Sequence, residues 1–343
     1  MRVIAALVVS GIAGGLVAPN VPQSPAPPVE VSAEESFDDW LDALIAEARE
    51  RGYADALVQK ALVGLEPLVR VVEHDRTQAE VTVGFERYFA ARVNAAVVRR
   101  GRELAREHRP LLARIERKYG VPRRIVLGIW GLESRFGRNS GRTPVFRALA
   151  TLAWEPRRAA FFRAQLFDAL TMVSRGHIDV DTMTGSWAGA MGQPQFMPSS
   201  YLEYAVDEDG DGRRDIWDST ADVLGSIANY LKGHGWTPER TWGREVRVSR
   251  TARRQIERAG IGTRQSGCYA MRDMTARVPL RQWQRLGVRR IDGGPLPRVN
   301  VPAGLVEAGG RTFLVYENYD ALLRYNCAHH YALSVAMLAE RLR

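Results

Sequence analysis

The stretch from Gly120 to Gly137, GVPRRIVLGIWGLESRFG, constrains this chain more than any other, because it sets a carboxylate into an otherwise apolar helix. Pro122 suits a first helical turn and Gly137 a C-terminal stop. Ile125, Ile129 and Glu133 recur at i, i+4 and i+8, so they share one helix face, with Leu132 and Phe136 alongside. Burial disfavours the charged form of a carboxyl group, which is how a glutamate stays a proton donor near neutral pH. Spacing alone leaves a second reading open: a core glutamate satisfied by an arginine such as Arg135 or Arg157.

The surrounding chain reads as a mainly helical α+β fold. Its 343 residues exceed what one hydrophobic core commonly serves. Residues 1–30 join an apolar run to a Pro-rich stretch. The run is short for a membrane span and suits a secretory signal, removed or retained as an N-terminal anchor. No cysteine lies near it to carry a lipid. Residues 31–118 read as a helical domain, from Phe37, Trp40, Leu41, Leu44 and Ile45 at helical spacing to charged helices around Phe85–His108. Residues 119–240 hold the informative motifs. Residues 241–316 carry strand-like segments at Glu245–Ser249 and Arg311–Tyr316 and form a small β-containing domain. Residues 317–343 return to a helical pattern.

Lys and Arg outnumber Asp and Glu by 48 to 39, a net charge of +9 with a pI near 9.9. Such a chain is drawn to polyanions. The arginines are scattered rather than gathered with aromatics, so the pattern does not favour nucleic acid. Export makes a disulfide between the two cysteines, Cys268 and Cys327, a natural reading; a pair of buried free thiols is the other.

A second stretch, GSWAGAMGQPQFMPSSY from Gly185 to Tyr201, is dense in Gly, Ala and Pro. Small residues let backbone approach a ligand closely. Gln195 could add hydrogen bonds, and Trp187 or Phe196 an apolar platform. A tight turn between helices would have the same composition.

Gly131–Gly137, Gly189–Tyr201 and Ala228-Asn229-Tyr230-Leu231, in this order, with Asn318-Tyr319 and Arg324-Tyr325-Asn326 later, resemble the lytic murein transglycosylase B family. The resemblance runs from about Trp40 to Arg341. It implies a lysozyme-like catalytic core over 119–240, and cleavage of the β-1,4 bond between N-acetylmuramic acid and N-acetylglucosamine with a 1,6-anhydro product. By position it makes Glu133 the acid/base. Ser186, Gln195, Phe196, Tyr230, Asn318 and Tyr325 would line the groove, joined by Arg157, Arg158 and Tyr88. A two-carboxylate glycosidase needs a partner about 5–9.5 Å from its acid. None of comparable context is evident: Glu155 lies in an apparent turn, and Asp179 and Asp181 in a polar loop. The expected partner is the glycan strand of peptidoglycan, with no nucleic acid, membrane association only through the N-terminus, and a monomeric chain. A hydrolytic muramidase or a non-catalytic peptidoglycan binder are the alternatives.

Residues 207–218, DEDGDGRRDIWD, follow much of the EF-hand pattern. Asp207, Asp209, Asp211, Asp215 and Asp218 fall at positions 1, 3, 5, 9 and 12, Gly212 at the turn, and Arg213 where a backbone carbonyl is used. Position 12 is Asp rather than Glu. The resemblance implies a longer loop in which Asp222 supplies the last ligand. The expectation is a structural Ca²⁺, with no cofactor for catalysis; a solvated acidic turn is the alternative.

Overall fold

The computed structural model describes residues 36–68, 71 and 84–343. The proposed leader, residues 1–30, lies outside them. The architecture is mainly helical with a small sheet, as the α+β reading expects.

The Glu133 helix, Arg123–Ser134, forms the axis of the main core. Every residue from Ile125 to Leu132 is buried, so the apolar face read from spacing is in fact the whole circumference. Four helices surround it: Ala95–Glu107, Arg109–Tyr119, Thr220–Gly233 and the C-terminal His329–Arg341. The last approaches most closely. A Cβ on Gly128 would stand 2.9 Å from the Val335 carbonyl oxygen, and one on Gly131 would stand 3.1 Å from Leu338. Gly128 thus lets the two helices meet nearly backbone to backbone, and Gly131 leaves room for the Phe136 ring and the Leu338 side chain.

The N-terminal helices Phe37–Glu50 and Asp55–Leu62 pack on a hairpin of Val145–Trp154 and Ala159–Ser174. Their apolar residues join one continuous cluster that reaches Leu342. The charged run Phe85–His108 breaks at Val93–Asn94, because Asn94 accepts the Val97 N–H at 3.1 Å and starts a new helix. The C-terminal run likewise splits into Asn318–Tyr325 and His329–Arg341, with Cys327 in the break.

Strands β1 (Thr143–Pro144) and β2 (Thr184–Gly185) form a short ribbon at the start of Val145–Trp154. The remaining strands are β3 (Gly243–Arg247), β4 (Val278–Pro279), β5 (Arg289–Arg290), β6 (Pro302–Ala308) and β7 (Arg311–Val315). They make one antiparallel sheet in the order β4-β6-β7-β3-β5. The pleat of β7 serves two cores. Phe313 and Val315 join the main cluster, whereas Leu314 and Tyr316 join a small one around Trp283 and Val246.

Two devices fasten the sheet to the main core. Cys268 and Cys327 form a disulfide, settling that alternative. Asp320 accepts both Arg264 and Arg277, at 2.7–3.1 Å. No described helix is long and apolar enough to cross a membrane.

Gly128→Ala tests the axial packing. The added methyl meets a backbone oxygen that cannot swing aside, and we expect a loss of about 1–3 kcal/mol, read as a lower midpoint in urea with an unchanged slope. A neutral result would contradict the close approach of the two helices.

Candidate active site

Glu133 is where the buried axis reaches the surface: it is half-buried, after eight consecutive buried residues. The helix ends one residue later. It stops at Arg135 rather than at Gly137, because Arg135, Phe136 and Gly137 occupy the left-handed region in succession, at φ 51°, 61° and 81°. The first two have side chains, which disfavour that region by roughly 1–2 kcal/mol each. The turn is held closed by Phe136, whose N–H reaches the Trp130 carbonyl and whose ring meets Trp130 edge-on at 5.5 Å. Ser134 Oγ accepts the Gly137 N–H at 3.0 Å. The chain thereby leaves sharply and Glu133 stays uncovered.

The Gly-rich stretch forms the adjoining wall. Trp130 Nε1 donates to Gln193 Oε1 at 2.8 Å, and Gln193 Nε2 donates to the Trp217 carbonyl at 2.6 Å. Gln193 thus ties the Glu133 helix to the two loops beyond it. Gln195, at φ 54°, donates through Nε2 to the carbonyls of Ser140 and Gly192, both at 2.8 Å. Neither bond uses its Oε1. Ser186 Oγ accepts the N–H groups of Ala188 and Ala190 and so shapes its own turn. Gly141, at φ 88°, lies against the Gly185 carbonyl with no room for a side chain.

Tyrosines enclose the carboxylate on the other side. Tyr230, from Thr220–Gly233, donates to the Arg324 carbonyl at 2.7 Å; Tyr325 donates to the Pro194 carbonyl at 2.7 Å. Their rings lie 4.7 Å apart, and Tyr325 stacks on Tyr331 at 6.3 Å. Burial first, and then the charge of Glu133, push the Tyr325 and Tyr331 hydroxyls well above the usual phenol range. Tyr230 is raised by burial, by Tyr204 and by the carboxylates Glu203 and Glu133. All three therefore remain neutral near pH 7. Burial lowers His234, 4.3 Å from the Tyr230 ring, to about 4, so it adds no positive charge there.

Other residues singled out by sequence are placed differently. Phe196 is only 2% exposed and packs its ring on Tyr230 and Tyr325, so it supports the wall rather than offering an open platform. Asn318 is buried, accepts the Thr237 N–H and donates to the carbonyls of Thr237 and Arg240, which fixes the chain at the start of the sheet. Tyr88 is buried between His330 and Arg92, next to Tyr331. Arg157 and Arg158 occupy a 3₁₀ turn past Val145–Trp154, with Arg158 over the Phe162 ring. Asp181 is paired with Lys60 at 2.7 Å. Sequence reasoning missed Gln193, Tyr204, His234 and Tyr331. The Gln-Pro-Gln repeat around Pro194 marks Gln193, and the Tyr325-to-Tyr331 spacing over Cys327 marks Tyr331.

The acidic loop is partly built for a cation. Ligand oxygens of Asp207, Asp209 and Asp211 lie within 4.8 Å of one another. Asp207 accepts from Gly212 and Gly210, and these bonds, Gly212's foremost, hold its carboxyl below the usual range. Asp218 is exposed and outside this group. Asp222 is buried, and its two oxygens accept backbone N–H groups of Glu208, Asp209 and Asp215, so it braces the loop from beneath. Burial opposes the charge of Glu208, but Lys118, Tyr119 and Arg114 hold its carboxyl below the usual range and fix the loop to Arg109–Tyr119.

A carboxylate at the end of a buried helix, faced by neutral tyrosines and a Gly-rich wall, is the candidate site of this lysozyme-like fold. The Transglycosylase SLT domain family matches residues 36–340, and the chain belongs to that family. The chain is 37% identical over 236 residues to the membrane-bound lytic murein transglycosylase B of Escherichia coli K12. That match spans 68% of this chain and 60% of the relative. The structure of SltB3 from Pseudomonas aeruginosa in complex with NAG-NAM-pentapeptide superposes with a TM-score of 0.79 at 39% identity, over 89% of this chain and 79% of that one. The Escherichia coli lytic transglycosylase Slt35 in complex with calcium gives 0.72 at 30% identity, over 88% and 92%.

Gln193→Ala removes two half-buried hydrogen bonds that couple the Glu133 helix to its wall. We expect a stability loss of about 1–3 kcal/mol and a fall in turnover larger than the change in substrate affinity. Turnover at the wild-type level would show that the coupling does not position Glu133.

Proposed function

We propose that this chain is a peptidoglycan lytic transglycosylase that cleaves the β-1,4 bond between N-acetylmuramic acid and N-acetylglucosamine and leaves 1,6-anhydromuramic ends. The observation that carries the reading is the partly exposed Glu133 at the end of a fully buried helix, with Tyr325 and Tyr331 held neutral around it. The family membership and the relatives' printed activity support it.

Glu133 acts twice. As an acid it protonates the glycosidic oxygen, while the acetamido oxygen of the substrate supports the developing cation. As the resulting carboxylate it takes the proton of the C6 hydroxyl, whose oxygen closes on C1 of the same sugar. That attack is intramolecular and carries the high effective molarity of a positioned nucleophile. The apolar tyrosine wall keeps competing water out. Gln195 offers its Oε1 to sugar hydroxyls. Ser186, Arg157 and Arg158 extend the glycan-binding surface, and Tyr88, Phe196, Tyr230, Asn318 and Tyr325 set its shape from behind. In this division of labour residues 119–240 and 317–343 hold the chemistry, and 31–118 and 241–316 frame the groove. The substrate places the enzyme outside the inner membrane, in the periplasm, and a monomer suffices for this chemistry.

Glu133→Gln tests the assignment: the isostere keeps the packing but neither donates nor accepts the required proton. Turnover of purified cell wall should fall at least about a thousandfold, with the melting temperature unchanged. Appreciable residual turnover in a folded variant would sink the role given to Glu133.

The loop at 207–222 takes Ca²⁺ through Asp207, Asp209, Asp211 and the Arg213 carbonyl, with Asp218 and Asp222 completing or supporting the set. The calcium complex of Slt35 supports this, as does the close grouping of three carboxylates. The ion would stabilise the loop and take no part in proton transfer. Calcium at a hundredfold excess over Kd should add about 2.7 kcal/mol of stability, and Asp209→Asn should remove that gain. An identical melting curve with calcium and with chelator would overturn it.

A further inference from the structure

We propose that an arginine-lined cavity at the opposite end of the Glu133 helix binds a diphosphate-class oxyanion. The cavity has a volume of about 560 Å³ and lies between the first turn of that helix, the last turns of His329–Arg341 and the β3 edge of the sheet. Arg124 and Glu133 are nine residues apart on one helix, about 14 Å along its axis. The cavity is therefore separate from the carboxylate site.

Its charge is unbalanced. Six arginines face it against three carboxylates. Arg311 is bound twice by Glu245, Arg290 pairs with Asp292, and Arg343 pairs with Glu340. Among the described residues, the remaining three find no carboxylate. Arg244 donates to the Tyr316 hydroxyl at 2.7 Å, and Arg341 donates to the Val93 carbonyl at 3.2 Å with its guanidinium over the Phe89 ring. Arg124 has its Nε buried with no acceptor at all. A guanidinium without a carboxylate partner is the kind of donor an oxyanion satisfies.

The ligand class follows from charge, shape and size. Guanidinium forks match the oxygens of phosphate and carboxylate groups. Three uncompensated charges favour a multivalent anion over a lone carboxylate. The volume is that of a small-molecule site rather than of one phosphate ion. Ile291 and Met337 supply apolar wall for whatever carries the phosphates.

Isothermal titration of the intact chain with inorganic pyrophosphate tests this. We expect saturable binding at least tenfold tighter than that of acetate, weakening as salt rises. Arg124→Gln with Arg244→Gln should weaken it at least tenfold, while cell-wall turnover stays at the wild-type level. Should the double variant fail to fold, Arg341→Gln on the exposed last helical turn carries the same test. Competition by uridine diphosphate marks a soluble carrier of the diphosphate, and competition by farnesyl diphosphate a lipid one. Equal affinity in wild type and folded variants, or no binding at millimolar pyrophosphate, would overturn the proposal.

Discussion

Burial of one helix on every side is the constraint on which the rest of this structure depends. Arg123–Ser134 has no polar side chain between Ile125 and Leu132, so it can exist only as the centre of a ring of other helices. That requirement recruits segments far apart in sequence, including the C-terminal helix, which closes the ring through Gly128 and Gly131. The same burial makes position 133 special. A helix this apolar leaves water only at its ends, and Glu133 stands at the end where the backbone turns away in three left-handed steps. The strain of those steps is the local cost of leaving one carboxylate uncovered.

Around that point the structure controls protonation mainly by excluding water. Tyr230, Tyr325 and Tyr331 are buried enough to remain phenols, with Tyr230 anchored on the Arg324 carbonyl and Tyr325 on that of Pro194. The Tyr325 hydroxyl thus locks the C-terminal segment to the Gly-rich wall beside Glu133. His234, which would otherwise titrate in the neutral range, is held neutral by burial. The disulfide and the Asp320 ion pairs then clamp the sheet onto the segment that carries Tyr325. A domain that donates no proton thereby bears on the geometry of the site.

Much of this was legible in the sequence, and the parts that were not have physical reasons. The i, i+4, i+8 spacing located Glu133 on an apolar face, but spacing cannot count how many helices will surround one. Gly137 was read as the helix stop; Arg135 takes that place because the Phe136 ring folds back on Trp130 and holds an unfavourable backbone closed. Strand character was legible at 245–249 from alternation and at 311–316 from strand-forming residues, close to the strands at 243–247 and 311–315, whereas the relay of hydrogen bonds through Gln193 depends on loops meeting in space. Phe196 and Asn318 were marked by resemblance, which identifies positions without saying whether a side chain faces ligand or braces its neighbours. The cysteine pairing was undecidable until Cys268 and Cys327 were brought together across 59 residues.

In the proposed mechanism one carboxylate serves both proton transfers while the substrate supplies the nucleophile. Digestion of purified peptidoglycan in ¹⁸O-labelled water, followed by mass spectrometry of the released fragments, tests it most directly. The account predicts anhydro products that carry no label, because the oxygen joining C1 comes from C6 of the same sugar. Reducing ends with ¹⁸O at C1 would contradict it, since water would then be the nucleophile and the site that of a hydrolase.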